Sequence, residues 1–349
     1  MNDSTRKNYH LQFHGKGGEY FKIWIVNLFL SILTLGIYSA WAKVRTHRYF
    51  YGNTELMGST FEYHAKPIQI LKGRILVFIL FMIYVVVGSI SPAINGMLTL
   101  LLFLAIPWII VRSMRFRNIN SSWRNIRFNF EKDYFSAIKT FLLWPMLILF
   151  TLGLIIPFLY FLQSRFFISL SSFGKERFQF TGGASGFYKI AFISIGIILL
   201  GLIPFILLSV QGGMLEEGVL NDGSKPEFGP AVIIAMVTYI VAFMVGTFLY
   251  KTLITNYVWC HIELAGNHFG SHLKLGKMMW IGLSNLILIV ITVGIFTPWA
   301  MIRMTRYRVD CLTLRDSGNI EDIISGGTEY MNAIGDEAGE MFDIDIGAL

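Results

Sequence analysis

Seven long apolar stretches restrict the folds open to this 349-residue chain more than any other feature of its sequence. They lie near Phe21–Trp41, Ile70–Ile90, Gly96–Met114, Tyr134–Phe161, Phe187–Val210, Pro230–Trp259 and Lys277–Ile302. About 20 apolar residues are enough for a helix to cross the hydrocarbon layer of a membrane. None of the stretches alternates as a membrane barrel would, so helices are the expected spanning elements. The fold class predicted is therefore an all-α polytopic membrane protein, built as a helical bundle.

Composition and charge exclude several other classes. The chain is 54% hydrophobic and only 15% charged, whereas soluble domains carry about 25% charged residues. Its net charge of +7 divides into +16 over residues 1–315 and −9 over residues 316–349. Such a basic excess in a membrane protein marks cytoplasmic loops and contacts with anionic lipid head groups, not nucleic acid. Two cysteines and no recognisable catalytic motif predict no metal, no cofactor and no enzyme activity.

The connections between the apolar stretches are of two kinds. Ser91–Asn95 has no charges and Gln211–Phe228 is acidic, whereas the other four connections are basic. The N-terminal stretch and the basic connections also contain short alternating patterns, which predict strand-like segments on the cytoplasmic face. These are Leu11-x-Phe13, Phe61-x-Tyr63, Phe128-x-Phe130, Phe178-x-Phe180 and Leu273-x-Leu275.

The apolar stretches contain an internal repeat. Residues 25–49 and 283–307 are identical at eleven of 25 positions without a gap, and a diverged third copy follows the first at an offset of 117. The chain thus has the order A–B–A–B–A, in which A is a Thr-x-Gly segment and B is a helical hairpin. The predicted membrane domain, residues 1–315, has A segments at 21–49, 138–166 and 279–307 and hairpins at 70–114 and 187–259. Residues 316–349 form an acidic tail, which we expect to be cytoplasmic and to dock on the basic loops.

Two topologies remain open for the A segments. Each can cross the membrane once, which places basic loops on both faces. Alternatively each re-enters, turning at its Thr-x-Gly and leaving every basic loop on the cytoplasmic side. Gly tolerates the backbone of such a turn, and Pro157 and Pro298 disfavour an uninterrupted helix. Gly and Thr also pack ordinary helix–helix interfaces in membranes, which favours the first topology.

Polar residues inside or beside the A segments are the candidate site. Polar groups in a membrane are costly and are functional candidates by default. The candidates for substrate binding are Asn27, Thr34, Gly36, Thr151, Gly153, Asn285, Thr292 and Gly294, and those for head-group contact are Arg45, Arg48, Arg303 and Arg306. A structural role, in which Asn27 and Asn285 bond a neighbouring helix, is the alternative.

The segment TLGIYSAWAKVR, residues 34–45, and the closing GDEAGEMFDIDIGAL resemble the YjgN family of bacterial inner-membrane proteins. The resemblance extends over nearly the whole chain and implies a multi-pass protein of the cytoplasmic membrane. That family supplies no substrate or catalytic residue to carry over. The middle A segment departs from the motif, with Phe158 and Leu162 in place of its Trp and first Arg.

Two functions are consistent with these patterns. Repeats with Gly- and Pro-interrupted segments build the central sites of transporters, so a transporter or channel for a small solute is the first hypothesis. A non-transporting scaffold or lipid-organising protein with a basic cytoplasmic face is the second. Transport predicts that Asn27, Thr34 and their repeat equivalents face a shared wet cavity, whereas a scaffold predicts dry packing.

Overall fold

Every helical pair of the protein starts from, and returns to, one antiparallel β-sheet. The computed structural model describes residues 7–211 and 230–328. Their strands are β1 (Lys7–His10), β2 (Gln12–Phe13), β3 (Thr54–Leu56), β4 (Ser59–Tyr63), β5 (Ser121–Trp123), β6 (Ile126–Phe130), β7 (Ser171–Phe173), β8 (Glu176–Phe180), β9 (Ile262–Leu264), β10 (Asn267–Ser271) and β11 (Leu312–Asp316). The 11 strands lie in the order β1-β11-β10-β9-β8-β7-β6-β5-β4-β3-β2.

The N-terminal segment closes this sheet. β1 pairs with β11 and β2 pairs with β3, at opposite ends of the strand order. Leu11 separates β1 from β2, and its N–H donates to the Leu312 carbonyl oxygen at 3.2 Å. The sheet is therefore a near-barrel in which β1 and β2 act as one closing strand, and closure removes the free edges of an open sheet.

The prediction of an all-α bundle is wrong because of this sheet. Four of the five predicted strand-like segments overlap β2, β4, β6 and β8. The fifth is misplaced, since Leu273 lies beyond β10 and Leu275 begins a helix. Alternation is hard to recognise in strands of two to five residues, and β3, β5, β7 and β9 have only three residues each.

The helices connect successive strands as five pairs. They are α1 (Gly17–Leu33), α2 (Ser39–Gly52), α3 (Pro67–Ile90), α4 (Pro92–Ile119), α5 (Tyr134–Ile138), α6 (Trp144–Phe150), α7 (Ile156–Ser169), α8 (Ala184–Gln211), α9 (Pro230–Cys260), α10 (Leu275–Ile291) and α11 (Thr297–Asp310). A π-helical turn, Lys139–Leu143, joins α5 to α6. We name the pairs A1 (α1–α2), B1 (α3–α4), A2 (α5–α7), B2 (α8–α9) and A3 (α10–α11). Each packs against its neighbours along the chain, and α11 packs against α1, so the pairs form a ring over the sheet.

The five pairs differ in length. Within residues 7–211 and 230–328, four helices, all in B1 and B2, are long and apolar enough to cross a membrane: Pro67–Ile90, Pro92–Ile119, Ala184–Leu207 and Ile233–Cys260. The three predicted A stretches are instead broken by turns at residues 34–38, 151–155 and 292–296. In A1 and A3 the outgoing helix has 17 residues and the returning helix has 14. Both ends of every A segment therefore lie on the sheet side. The predicted Gln211–Phe228 loop lies almost entirely outside the described residues.

A short helix at residues 320–328, the tail helix, covers the mouth of the sheet opposite the helical pairs. Its first residue, Ile320, is 3% exposed. It packs among buried side chains from six strands: Leu56, Trp123, Ile126, Phe173, Leu264 and Leu314. Arg124 also forms an ion pair with Glu321 of the tail helix at 3.2 Å. In the described residues, the tail helix thus contacts the sheet through apolar packing and this one ion pair. Residues 329–349 of the predicted tail lie outside the described residues.

Candidate functional site

The three Thr-x-Gly turns have one backbone geometry. The residue after each threonine is left-handed, with φ of +49° at Leu35, +48° at Leu152 and +49° at Val293. The following glycine has φ of +91°, +84° and +89°, respectively. Each glycine N–H donates to the carbonyl five residues earlier at 2.7–2.9 Å, a hydrogen bond that ends a helix. A left-handed β-branched or bulky residue is strained, so each turn holds an unfavourable conformation at its tip.

The threonine hydroxyls are used within these turns. Thr34 Oγ1 donates to the Leu30 carbonyl at 2.7 Å and accepts the Tyr38 N–H at 2.9 Å. Thr292 makes the equivalent bonds at 2.7 and 3.0 Å, and Thr151 Oγ1 donates to the Leu147 carbonyl at 2.8 Å. The candidates Thr34, Gly36, Thr151, Gly153, Thr292 and Gly294 thus form three separate tips. Their role in substrate binding stays a prediction.

The two candidate asparagines join the helices of their own pairs. Asn285 is 6% exposed, and its Nδ2 donates to the Ala300 carbonyl at 3.1 Å. Its Oδ1 accepts from Arg303 Nη1 at 2.8 Å. In A1 the same contacts are longer, at 3.4 Å from Asn27 Nδ2 to the Ala42 carbonyl and 3.5 Å from Arg45 to Asn27. The geometry is that of the structural alternative, because each asparagine bonds a facing helix.

The second arginine of each A motif binds backbone next to the sheet. Arg48 donates to the carbonyls of Tyr63 and Ala65, where β4 leads into α3, at 3.3 and 3.4 Å. Arg306 donates to the Gly15 carbonyl, where β2 leads into α1, at 2.6 Å. Both guanidinium groups thus fix the start of the next pair around the ring, and head-group contact by the four predicted arginines stays a prediction.

Tyrosines, which sequence reasoning missed, close the base of three pairs. Tyr307 OH accepts the Lys274 N–H at 2.7 Å and donates to the Lys274 carbonyl at 3.1 Å. Tyr49 does the same with Lys16, and Tyr257 with Gly183. Burial raises the pKa of the Tyr49 and Tyr307 phenols, which keeps both as donors. The identity of these two tyrosines in the repeat was the signal that could have found them.

Positive charge is in large excess in A1 and B1. Between residues 20 and 130 the acids are Glu55 and Glu62, against twelve cationic side chains. These are Lys22, Lys43, Arg45, Arg48, Lys66, Lys72, Arg74, Arg112, Arg115, Arg117, Arg124 and Arg127. Of the twelve, Arg124 alone pairs with a carboxylate within the described residues. This part of the molecule therefore presents an excess of uncompensated positive charge beside the apolar helices.

Histidines, cysteines and carboxylates are not gathered into a metal site in the described part of the chain. Cys260 and Cys311 are free thiols. His14 and His64 each lie beside a glutamate, at 2.8 Å from Glu55 and 3.4 Å from Glu62, respectively. Burial lowers the pKa of His64, with a further contribution from the nearby Arg127.

Four membrane-length apolar helices in the described part of the chain define an integral membrane protein, as predicted. The chain belongs to the family described as bacterial protein of unknown function (DUF898), whose model matches residues 8–341. It is 27% identical over 256 residues to inner membrane protein YjgN of Escherichia coli strain K12, and 33% identical over 132 residues to YjgN of Salmonella typhimurium strain LT2. The first match covers 63% of each chain, and the second covers 38% of this chain and 33% of the relative. The predicted resemblance to YjgN is confirmed; no solved structure matches the chain.

Proposed function

We propose that this protein is a lipid-binding, lipid-organising protein of the bacterial inner membrane, which inserts its three A pairs part of the way into the bilayer from the side of the sheet. The observation that carries this proposal is the exposure of the apolar residue at the turn, or tip, of each A pair. Leu35, Leu152 and Val293 are 95%, 93% and 91% exposed. Apolar side chains that are almost fully exposed are more stable in contact with hydrocarbon than with water.

The lengths of the A pairs support partial insertion. In α1 the last charged residue is Lys22, and residues 23–33 beyond it rise by about 16 Å. In α10 the last charged residue is Lys277, and residues 278–291 rise by about 21 Å. Both fall short of the ~30 Å hydrocarbon thickness. The tips therefore end inside the membrane, and lipid of the opposite leaflet lies beyond them.

The ring of helices also favours lipid over a soluble solute. All five pairs stand side by side near the sheet, but of the described helices only those of B1 and B2 are long enough to extend into the far leaflet. Four helices in two pairs leave the space between them open to the acyl chains. The polar groups of A1 and A3 that could line a wet path, Asn27, Asn285 and the threonines, are bonded within their own pairs. A transporter would need them in one cavity.

Charge sets the orientation in this proposal. The sheet side carries the basic connections, and such loops lie in the cytoplasm in most membrane proteins. The sheet, the tail helix and the entry points of the A pairs are then cytoplasmic. Unpaired cations beside the apolar helices attract anionic lipid head groups, at about 1 kcal/mol for each charge near the surface.

Nitroxide labels at the tips test this proposal. With Cys260 and Cys311 replaced by serine, Leu35→Cys, Leu152→Cys and Val293→Cys are labelled and reconstituted in vesicles of phosphatidylcholine and phosphatidylglycerol. We expect all three labels to collide with oxygen and not with a water-soluble nickel complex. A label at the exposed sheet residue Gln179 is the control and should collide with nickel. Nickel collisions at the tips would indicate a water-lined path and would favour transport.

Spin-labelled lipid tests the binding directly. In the same vesicles we expect an immobilised fraction of spin-labelled phosphatidylglycerol larger than that of phosphatidylcholine. Equal fractions for the two lipids would contradict selection by the basic surface.

A further inference from the structure

One face of α3 is open although α3 packs against α2 and α4. Gly73, Arg74, Val77, Phe78 and Phe81 line a cavity of about 400 Å³ along this face. No residue in the most apolar window of α3 is buried, against 22% of the corresponding window of α8. Nothing lies within 4 Å of the point where a side chain at Gly73 would begin.

Most of the equivalent face of α8 is covered by protein; the exception is Ile195, the counterpart of Phe78, which is 48% exposed. β4 and α3 begin 117 residues before β8 and α8, so the positions correspond one by one. Gly73, Arg74 and Val77 correspond to Ile190, Ala191 and Ser194, which are 7%, 6% and 2% exposed. Phe81 corresponds to Ile198, which packs on Gly246 of α9.

Side-chain size explains why the two hairpins differ. In B2, Gly201 meets Ala242 so closely that an added Cβ would lie 2.1 Å from the Cβ of Ala242. Small residues let the two helix backbones approach in this way. The equivalent positions of B1, at offsets of 117 and 141, are Tyr84 and Leu101, which are too large for the same close approach of α3 and α4. The open face is therefore built into the sequence of B1.

Arg74 gives this open face its chemical character. Its Nη1 donates to the Ser39 hydroxyl at the end of the A1 turn. No described carboxylate pairs with it, since Glu55 bonds His14 and Glu62 lies beside His64. Arginine presents five donors in a planar fork that suits phosphate oxygens. Arg74 lies about 10 Å along α3 from its start at Pro67, and Phe81 lies about 10 Å further. One anionic group beside Arg74 and one acyl chain along the following two turns of α3 would satisfy both.

We propose that this face of α3 binds one anionic phospholipid, whose phosphate contacts Arg74 and whose acyl chain lies along Val77, Phe78 and Phe81. The proposal rests on the lipid-binding function above and assigns it a site. The cavity of about 400 Å³ is shallow and open to its surroundings, so a lipid can enter it from the side.

Native mass spectrometry of the delipidated full chain, titrated with phosphatidylglycerol or phosphatidylcholine, tests the site. Arg74→Ala should weaken phosphatidylglycerol binding about fivefold, which corresponds to ~1 kcal/mol. Gly73→Leu should reduce binding of the first lipid while keeping the charge, because a larger side chain at Gly73 enters the cavity without a clash. Arg308→Ala is the control: it removes one exposed cation from α11, outside the basic set of A1 and B1, and should leave the affinity within twofold of the original.

Several results would overturn the site. Equal losses for Arg74→Ala and Arg308→Ala would show attraction by general charge. Unchanged binding in Gly73→Leu would place the lipid elsewhere, and a lipid-free dimer would show that a second copy covers the face. In each case an immobilised spin-label fraction would still support the proposed function. The absence of that fraction would refute the function as well.

Discussion

Replacement of Asn285 by leucine measures how strongly the two helices of A3 are joined. Asn285 Nδ2 donates to the Ala300 carbonyl at 3.1 Å, and Arg303 donates to Asn285 Oδ1 at 2.8 Å. A neutral hydrogen bond contributes about 1 kcal/mol and one to a charged group about 1.5–3 kcal/mol. Asn285→Leu also leaves the guanidinium without that acceptor. After the gain from a buried leucine, we expect a loss of about 2–3 kcal/mol in the free energy of unfolding.

Pair A1 provides the matched control for this substitution. The equivalent contacts of Asn27 are 3.4 Å and 3.5 Å long, at the outer limit of a hydrogen bond. Asn27→Leu should therefore cost under about 1 kcal/mol. Both variants are compared by denaturant unfolding in one mild detergent, followed by tryptophan fluorescence. Equal losses in the two pairs would refute the assignment of the effect to these bonds.

A double-mutant cycle separates the bond from the desolvated charge. Arg303→Leu removes the guanidinium and reproduces the residue that A2 has naturally, Leu162. The double variant Asn285→Leu with Arg303→Leu should cost less than the sum of the single changes by about 1–2 kcal/mol, because replacing both partners by apolar groups is nearly neutral. Additive losses would mean that the two side chains act independently.

Three further predictions concern the turn, the tail helix and one helix start. Gly294→Ala should destabilise the protein by about 1–3 kcal/mol because φ at Gly294 is +89°. Gly276→Ala is the control: a side chain there also meets open space, and in a helix it should stabilise the protein by about 0.5–1 kcal/mol. Thermal unfolding compares the two variants, and melting temperatures that shift in the same direction would contradict the strain argument. Ile320→Asp should raise the rate of amide hydrogen exchange in residues 320–328 without unfolding the membrane helices. An unchanged rate would show that burial of Ile320 does not anchor the tail helix. Hydrogen bonds from the side chain and backbone of Ser136 lower the pKa of Asp133. The carboxylate therefore stabilises the fold above its unfolded pKa, and this stabilisation is lost as pH falls below about 4. Asp133→Asn should reduce the loss of stability in acid, followed by circular dichroism, and an unchanged pH profile would contradict this role.

The helical part of the fold could be predicted because its signals are long. Apolar runs of 20 or more residues remain recognisable even where single residues depart from the pattern. The Thr-x-Gly sequence repeated at residues 34–36 and 292–294 indicated where the chain turns. The choice between a span and a turn could not be made from Phe21–Trp41 alone, because its length suits one ordinary span. That choice depends on Leu35 adopting a left-handed conformation, which is intrinsically unfavourable for a leucine.

The closed sheet and the surface to which the tail helix binds could not be predicted for the opposite reason. Strands such as β5, with the sequence Ser-Ser-Trp, are too short to show a period. Strands also pair with distant parts of the chain, as between Lys7 of β1 and Asp316 of β11. The tail helix has its apolar residues at Ile320, Ile323 and Ile324. Its binding partner is assembled from six strands, so no local pattern indicates it.

The position of the tail helix bears on the choice between solute and lipid. Ile320 and its neighbours occupy the mouth of the sheet on the side away from the helical pairs. A soluble solute moving along the axis of the ring would have to displace this apolar contact, and a buried isoleucine contributes about 1.5–3 kcal/mol by its transfer from water. A lipid has no such barrier, because it reaches α3 laterally from the bilayer. The closed sheet, the short A pairs and the open face of B1 all leave access from the membrane and restrict access from water, as a protein that binds lipid requires.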